Sequence, residues 1–461
     1  MALRTLPEEF LGKLTEMDLA QLGEALAEGE PCVSVRLNPT RGLSPADLPA
    51  KAEPVAWCPD GFYLSERPRF TFDPLLHQGC YYVQEASSMF HSHVARSICR
   101  RLDSPLRVLD SCAAPGGKTT AVIDTLPEGS LMVANEYVPA RAAVLRENLI
   151  KWASPSIVVT RGDTASFRKL RNSFDLIIAD VPCSGEGMMR KDPEAVSQWS
   201  EGLVRECAER QWMIISNLWP ALKPGGFLIY STCTFNRLEN EEMVSRIIGE
   251  LGAESVAVET DPSWNIAPGI STPHHCYRFM PHRLRGEGLF VAVVRKEGEW
   301  HADSADSRSR SSKSKAKPSP QLKEAAGWLD GKRADSVNVY AEADRISAFP
   351  SAHADLLGKI KRELDVIHEG VLMATVKGRD LIPSQSLALS PLLSAEAFPV
   401  CEIDRSQALS YLSGEALTLP DDTPRGFVLL KYSGRPLGFV KNLGRRSNNL
   451  YPAPWRIKTK L

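Results

Sequence analysis

Apolar and polar positions along this chain change their period as it proceeds. Through residue 30 leucines are spaced among Glu8, Glu9, Glu24, Glu28 and Glu30, an amphipathic helical pattern. Short strands are predicted near 32–37 and 55–64, broken by Pro39, Pro45, Pro49, Pro54 and Pro68, so residues 1–90 read as a small α+β module. From Pro105 short apolar runs at 107–110, 133–136, 157–160, 175–180 and 227–230 alternate with helical segments, and a later run spans 289–295. Strands that alternate with helices pair in parallel, which predicts a doubly wound α/β sheet over residues 91–298. Residues 299–320 hold a serine-, lysine- and arginine-rich stretch with no aliphatic run to bury, a flexible basic linker. An accessory α+β domain is expected at 321–396, with helical segments at 341–349 and 353–364 and a strand near 371–376. The last unit, 397–461, should carry a hairpin of 426–432 and 437–441 about Ser433, Gly434, Arg435 and Pro436.

Composition changes this picture little. A chain of 461 residues suits about three domains, and apolar and charged fractions of 43% and 24% are those of an ordinary globular protein. Neither a basic, apolar signal peptide nor an apolar run approaching the ~20 residues of a membrane span is present, so a cytoplasmic protein with no membrane partner is expected. The ten cysteines are scattered singly, which predicts reduced thiols; His274 and His275 lack a partner cluster, so no metal is expected. Charge matters by position. The formal net charge is −1, yet from Arg425 to the end nine lysines and arginines stand without one aspartate or glutamate, interleaved with Tyr432, Phe439, Tyr451 and Trp455. Such a segment reads as a polyanion-binding surface, against the plainer reading of solvated strand edges.

Candidate chemistry gathers at the carboxyl ends of the core strands, where open α/β sheets place their ligands. Cys233, in Ser231-Thr232-Cys233-Thr234, follows the 227–230 run, and Cys183 follows the 175–180 run; taken singly, each reads equally as a buried core thiol. Asp110-Ser111-Cys112-Ala113-Ala114-Pro115-Gly116-Gly117-Lys118-Thr119-Thr120 lies at the first strand-to-helix junction, and its glycine pair lets backbone approach a ligand. It is neither the spaced-glycine dinucleotide motif nor a P-loop. The next strand ends in Asn135-Glu136, suited to ribose hydroxyls, and the third is followed by Asp163, within reach of an adenine amino group. Acidic groups at three successive strand ends describe a nucleoside-containing cofactor, although each could equally cap a helix.

The motifs DSCAAPGGKTT (110–120), ADVPCSGEG (179–187) and YSTCTFNRLENEE (230–242) together resemble the Nol/Nop/Sun family of S-adenosylmethionine-dependent RNA cytosine-5 methyltransferases, over about residues 80–297. The accessory regions resemble the 16S rRNA methyltransferase F branch more weakly. The resemblance implies a Rossmann-like class I methyltransferase core with a PUA-like RNA-binding carboxyl-terminal region, S-adenosylmethionine as cofactor, and RNA, 16S rRNA or the small ribosomal subunit, as partner of a monomer. It also implies roles. Cys233 would attack carbon 6 of cytosine, Cys183 would help break the adduct, and Asp180 would face ring nitrogen 3. Cys112, Ala113, Ala114, Pro115, Gly116, Gly117 and Lys118 would wrap the methionine part, with Asp180 alongside, Glu136 on the ribose and Asp163 on the adenine. Residues 82–88 would close over the cofactor, and Lys118, Arg190 and Lys191 would meet RNA phosphate, the last two reading equally as solvated helix-surface cations. Three readings compete: a tRNA cytosine-5 methyltransferase, a DNA cytosine-5 enzyme, which lacks the Thr-Cys-Thr element, and an RNA-binding factor with a dead catalytic domain.

Overall fold

A computed structural model of the protein describes residues 5–302 and 319–459; most of the expected linker lies outside the described residues. The centre is a ten-stranded sheet. Its middle five strands, in spatial order Leu222–Thr232, Phe174–Asp180, Arg107–Asp110, Leu131–Glu136 and Ile157–Arg161, are parallel, as the alternating pattern predicts. These strands are apolar at almost every position because helices cover both faces, and nearly all their side chains are buried. Two large apolar clusters form, one per face, around Val108, Met132 and Ile178 and around Leu109, Val133 and Ile177. Leu289–Lys296 adds to the sheet antiparallel beside Leu222–Thr232.

The other edge departs from expectation. Asp365–Glu369, from the accessory region, pairs antiparallel with Ile157–Arg161 and so completes the core sheet. Leu356, Leu357, Ile360 and Leu364 beside it share one apolar cluster with Phe167 and Leu170. The helix expected at 341–349 is absent: Val337–Glu342 and Arg345–Pro350 form an antiparallel hairpin with Ala343 at φ 54° in its turn. Alternation of Ile346 and Ala348 with their neighbours has the two-residue period of a strand, and pairing with Val371–Lys377 supplies its hydrogen bonds. Among the described residues no helix is long and apolar enough to cross a membrane.

A buried arginine is among the groups that tie the amino-terminal module to the core. Arg36 is 1% exposed; its Nε donates to Gln84 Oε1 at 2.9 Å, its Nη2 donates to Thr120 Oγ1 at 2.5 Å, and its guanidinium pairs with Asp124 and lies 4.5 Å from the Trp152 ring centroid. The chain's two ends also meet. Gln78 Nε2 donates to the carbonyls of Tyr432 and Arg435, Arg435 Nε donates to Arg41 O, and Phe72 is packed into the carboxyl-terminal apolar cluster.

His77 sits in that junction. Its Nε2 must donate to the Thr71 carbonyl at 2.9 Å, so its Nδ1 accepts from the Tyr451 hydroxyl at 3.1 Å and the ring is neutral. Burial, helped by the nearby Lys151 charge, pushes it down to about 4. A histidine whose folded value lies below its unfolded one stabilises the fold fully above about pH 6.5 and loses that contribution as pH falls toward 4, by up to ~1.4 kcal/mol per pH unit. Between pH 7 and 4.5 the melting temperature of the unaltered protein should therefore fall more steeply than that of His77→Gln; equal slopes would exclude this junction as an acid-sensitive point.

Candidate functional site

The parallel pairing of Phe174–Asp180 with Leu222–Thr232 sets Asp180 beside Ser231, so the loops that follow leave the sheet side by side. They bring Cys183 and Cys233 together with their sulfurs 3.2 Å apart. Gly187 N donates to Cys233 O at 2.8 Å, and a Cβ on Gly187 would lie 2.8 Å from that oxygen, which explains glycine there. Two buried glutamates then cross between the loops. Glu186, from the first, accepts from the Phe235 and Asn236 amides of the second at 2.7 and 3.0 Å. Glu239, from the second, accepts from the Ser184 amide at 3.0 Å and from the Ser184 hydroxyl, and also from Gln211 Nε2 and Asn236 Nδ2, both at 2.7 Å. The helix that follows is Glu241–Leu251, and Glu239, Asn240 and Glu241 are buried, Glu241 paired with Arg278.

The Cys233 sulfur beside it and burial together push the Cys183 thiol well above its ordinary value. Cys183 therefore keeps its proton and can donate it toward the Cys233 sulfur. Behind the pair, Lys118 Nζ donates to Asp180 Oδ2 at 2.7 Å and Ser231 Oγ donates to Asp180 Oδ1 at 2.7 Å. Burial lowers Lys118, but Asp180, with Cys233 and Asp110 further off, outweighs it and holds the ammonium above its usual range.

A cavity of about 150 Å³ is lined by Tyr82, Glu85, Asp110, Cys112, Lys118 and Asp180 among others. Gly116, at φ 110°, holds a backbone conformation that L side chains rarely adopt. From the strand Tyr81–Val83 the Tyr82 hydroxyl donates to Pro115 O at 3.0 Å, so residues 82–88 lie over the glycine loop. Asp110 Oδ2 accepts from Thr119 at 2.6 Å, while Asp110 Oδ1 is buried without a partner. Burial pushes this carboxyl up to about 7. An orphaned carboxylate oxygen at the wall of such a cavity fits a ligand with a positive group, which agrees with the methionine end of S-adenosylmethionine. Asp110 is the first of the three strand-end acidic groups expected at a cofactor, and it stands at the foot of the glycine loop.

The other expected residues stand as follows. Glu136 is buried, accepts from Val138 N at 2.9 Å and lies 3.7 Å from Arg141; Asp163 is exposed and accepts from Ala165 N at 2.8 Å, capping a short turn. Both lie on the cavity's edge of the sheet, at the ends of the next two strands. Asn135 ties these loops: its Nδ2 donates to Ser111 O and Gly162 O, and its Oδ1 accepts from Thr160. Arg190 is a correction. It is 5% exposed and donates to Glu287 Oε2 at 2.8 Å and Gly286 O at 2.6 Å, so it is a buried structural ion pair and does not face RNA phosphate. Lys191 lies 3.4 Å from the same glutamate.

Comparison with known proteins places these features in a family. A model described as 16S rRNA methyltransferase RsmB/F matches residues 102–295, the N-terminal domain of 16S rRNA methyltransferase RsmF matches 6–86, and the methyltransferase RsmF PUA domain matches 398–457. Ribosomal RNA small subunit methyltransferase F of Shewanella loihica is 31% identical over 438 residues, covering 91% of this chain and 88% of that protein. The same-named protein of Erwinia tasmaniensis is 32% identical over 417 residues, covering 87% and 84%. Among solved structures, NSun6 from Pyrococcus horikoshii with SFG is 18% identical with a TM-score of 0.54, covering 64% of this chain and 100% of that one. A methyltransferase homolog from Pyrococcus horikoshii is 24% identical with a TM-score of 0.50, covering 63% and 100%. At these identities the two structures show the shared fold.

The crossed glutamates should be measurable as stability. Glu186→Ala and Glu239→Ala each strand several buried donors and should each cost about 3 kcal/mol in urea unfolding, with the double variant losing less than the sum because both act on one loop pair. Losses under about 0.5 kcal/mol would mean that the loops are held otherwise.

Proposed function

The chain belongs to the 16S rRNA methyltransferase RsmB/F family, and we propose that it methylates carbon 5 of a cytosine in 16S rRNA through a covalent adduct on Cys233. The observation that carries this reading is the pair of sulfurs 3.2 Å apart, on the loops that follow Asp180 and Ser231, with Asp180 itself in the wall of the cavity. S-adenosylmethionine, held there, supplies the methyl group that carbon 5 receives. Residues 112–118 wrap its methionine part, Asp110 Oδ1 takes the ammonium, Glu136 the ribose and Asp163 the adenine.

Carbon 5 of cytosine is a weak nucleophile until a thiolate adds to carbon 6. Cys233 makes that bond, and Asp180 faces ring nitrogen 3, where the displaced electron pair collects. Cys183 acts second, and the cause of its raised value explains the order. Its hydrogen bond to the Cys233 sulfur keeps Cys183 protonated at rest; once that sulfur is bonded to carbon 6, Cys183 gives its own proton up to solvent, and its thiolate takes the carbon 5 proton as the carbon–sulfur bond breaks. Met188 and Leu238, 41% and 36% exposed on the two cysteine loops, offer apolar surface to a base extruded from its helix. The carboxyl-terminal region presents the exposed cations Arg425, Arg445, Arg446 and Lys458. In this reading the protein works in the cytoplasm as a monomer on small-subunit rRNA.

Replacing each cysteine tests the division of labour. Cys233→Ala should abolish both adduct and turnover, while Cys183→Ala should retain or trap an RNA adduct on a denaturing gel; an adduct lost in Cys183→Ala alone would overturn the assignment. Bisulfite sequencing of RNA from cells with and without the gene should then locate the base. For the RNA surface, removal of residues 425–461 would also uncover Phe72 and the chain-end junction, so point changes are the cleaner probe. Arg425→Ser, Arg445→Ser and Arg446→Ser together should weaken RNA binding and flatten log K against log salt by about 0.7 per lost phosphate contact. An unchanged slope would remove these residues from the interface.

A further inference from the structure

The two sulfurs have a chemistry of their own that needs neither cofactor nor RNA. Cys183 and Cys233 are 50 residues apart in the chain, yet their sulfurs touch at 3.2 Å with no bond between them. Cys183 Sγ also accepts from the Cys233 amide at 3.4 Å, so both the backbone and the side chain of one loop are set against the sulfur of the other. Both thiols are half-buried rather than sealed in the core. The other eight cysteines make no sulfur–sulfur hydrogen bond among the described residues, and six of them are buried.

A disulfide holds its sulfurs about 2.05 Å apart, so this contact has only about 1 Å to close. Each sulfur swings on its own Cβ, and the two rotations share that distance without parting the loops. Nor does the backbone resist. Glu186 and Glu239 hold the loops in register, and Gly187 N donates to Cys233 O. A bond between residues so far apart ordinarily requires the chain to close a loop, at a cost in entropy; folding has already closed this one.

We propose that Cys183 and Cys233 are a modification site for hydroperoxides, which oxidise the pair to an intramolecular disulfide that can be reduced again. Cys183 keeps its proton at rest, so Cys233 is the sulfur that meets the oxidant. Its thiolate attacks one peroxide oxygen, the oxygen–oxygen bond breaks, and Cys233 is left as a sulfenic acid while hydroxide departs and takes up the proton that Cys233 had lost. The Cys183 sulfur then attacks the Cys233 sulfur. The sulfur–oxygen bond breaks, its hydroxide leaves with the Cys183 proton as water, and the disulfide forms. Two thiols are oxidised by two electrons in all, and one hydrogen peroxide becomes two waters. A sulfenic acid with no thiol in reach goes on to the irreversible sulfinic acid, so Cys183 also protects its neighbour. That the bond stops methyl transfer rests on the reading of Cys233 as the nucleophile; the bond itself does not.

The test treats the full-length protein, without RNA, with hydrogen peroxide, digests it without reductant and weighs the peptides. The peptides that hold Cys183 and Cys233 should be found joined and lighter by two hydrogens than their sum, and dithiothreitol should separate them and restore methyl transfer. Cys183→Ser removes the partner, so its Cys233 should accumulate as sulfinic acid that dithiothreitol does not reverse. In urea the contact is lost, and the same treatment should join Cys183 to Cys233 no more often than to any other cysteine. Three results would overturn the proposal: sulfinic acid on Cys233 in the unaltered protein to the same extent as in Cys183→Ser, a bond from either cysteine to a third one in its place, or both thiols still free at peroxide levels that oxidise glutathione. A joined pair in a protein that methylates no RNA would sustain the modification site and reject the methylation reading, and free thiols in a protein that does methylate RNA would do the reverse.

Discussion

Everything in the site depends on two loops being held against one another although nothing covalent joins them. Two sulfurs at 3.2 Å require neighbouring strand ends to stay in register to within a fraction of an ångström. The fold meets this with carboxylates that cross: Glu186 holds amides of the Cys233 loop, and Glu239 holds the amide and hydroxyl of Ser184 beside Cys183. Buried carboxylates are costly unless every oxygen is satisfied, and here each is surrounded by donors from the other loop. If either loop shifted, it would leave its own carboxylate, or its own amides, without partners in a dry interior. The arrangement is therefore closer to all-or-none than a set of apolar contacts would be, and it keeps the two sulfurs in contact.

The same logic extends outward. Residues 82–88 lie over the glycine loop because Arg36, buried in the amino-terminal module, holds Gln84 on one side and Thr120 and Asp124 on the other. Breaking such a buried pair from one side costs about 3–5 kcal/mol, so the module is part of the cofactor wall rather than an appendage. That module is tied in turn to the carboxyl-terminal region through Gln78, Arg435 and Phe72. The accessory strand Asp365–Glu369 closes the far edge of the core sheet beside the strand that leads to Asp163. Segments distant in the chain thus converge on the sheet that carries the chemistry.

How much of this could be read from the chain follows from the range of each interaction. The parallel core strands were legible because strands buried on both faces are apolar throughout, and the 426–441 hairpin because its turn residues lie next to one another. Residues 341–349 misled because a short stretch rich in alanine fits a helix as well as a strand, and only pairing with Val371–Lys377 decides it. Asp365–Glu369 carries charges at both ends and gives no local sign that it borders a core sheet. In the site, the cysteines and the glycine loop stood out as motifs, but nothing marked Glu186, Glu239 and Glu241 as buried, because burial of an acid is written in its partners. Arg190 looked like a free cation for the same reason: its glutamate lies 97 residues away. The contact of His91 with Ser231 left no trace at all, since the two are 140 residues apart and neither residue type is unusual where it stands.

One ammonium, Lys118, faces Asp180, Cys233 and Asp110, three groups that can each carry negative charge. A single buried cation facing three such groups leaves room for a second cation beside Asp110. Asp110 marks where the balance lies. Pushed up to about 7 by burial and left with one oxygen unpartnered, it stands where the charge of whatever enters the cavity decides its state. A ligand that brings positive charge draws Asp110 to the carboxylate and supplies the countercharge that Lys118 alone cannot, leaving Lys118 to Asp180 and the sulfur beyond it. A ligand with no such charge leaves Asp110 protonated and the cavity wall without its ion pair. The unpartnered Asp110 oxygen thus makes this cavity better suited to a cationic ligand than to a neutral one.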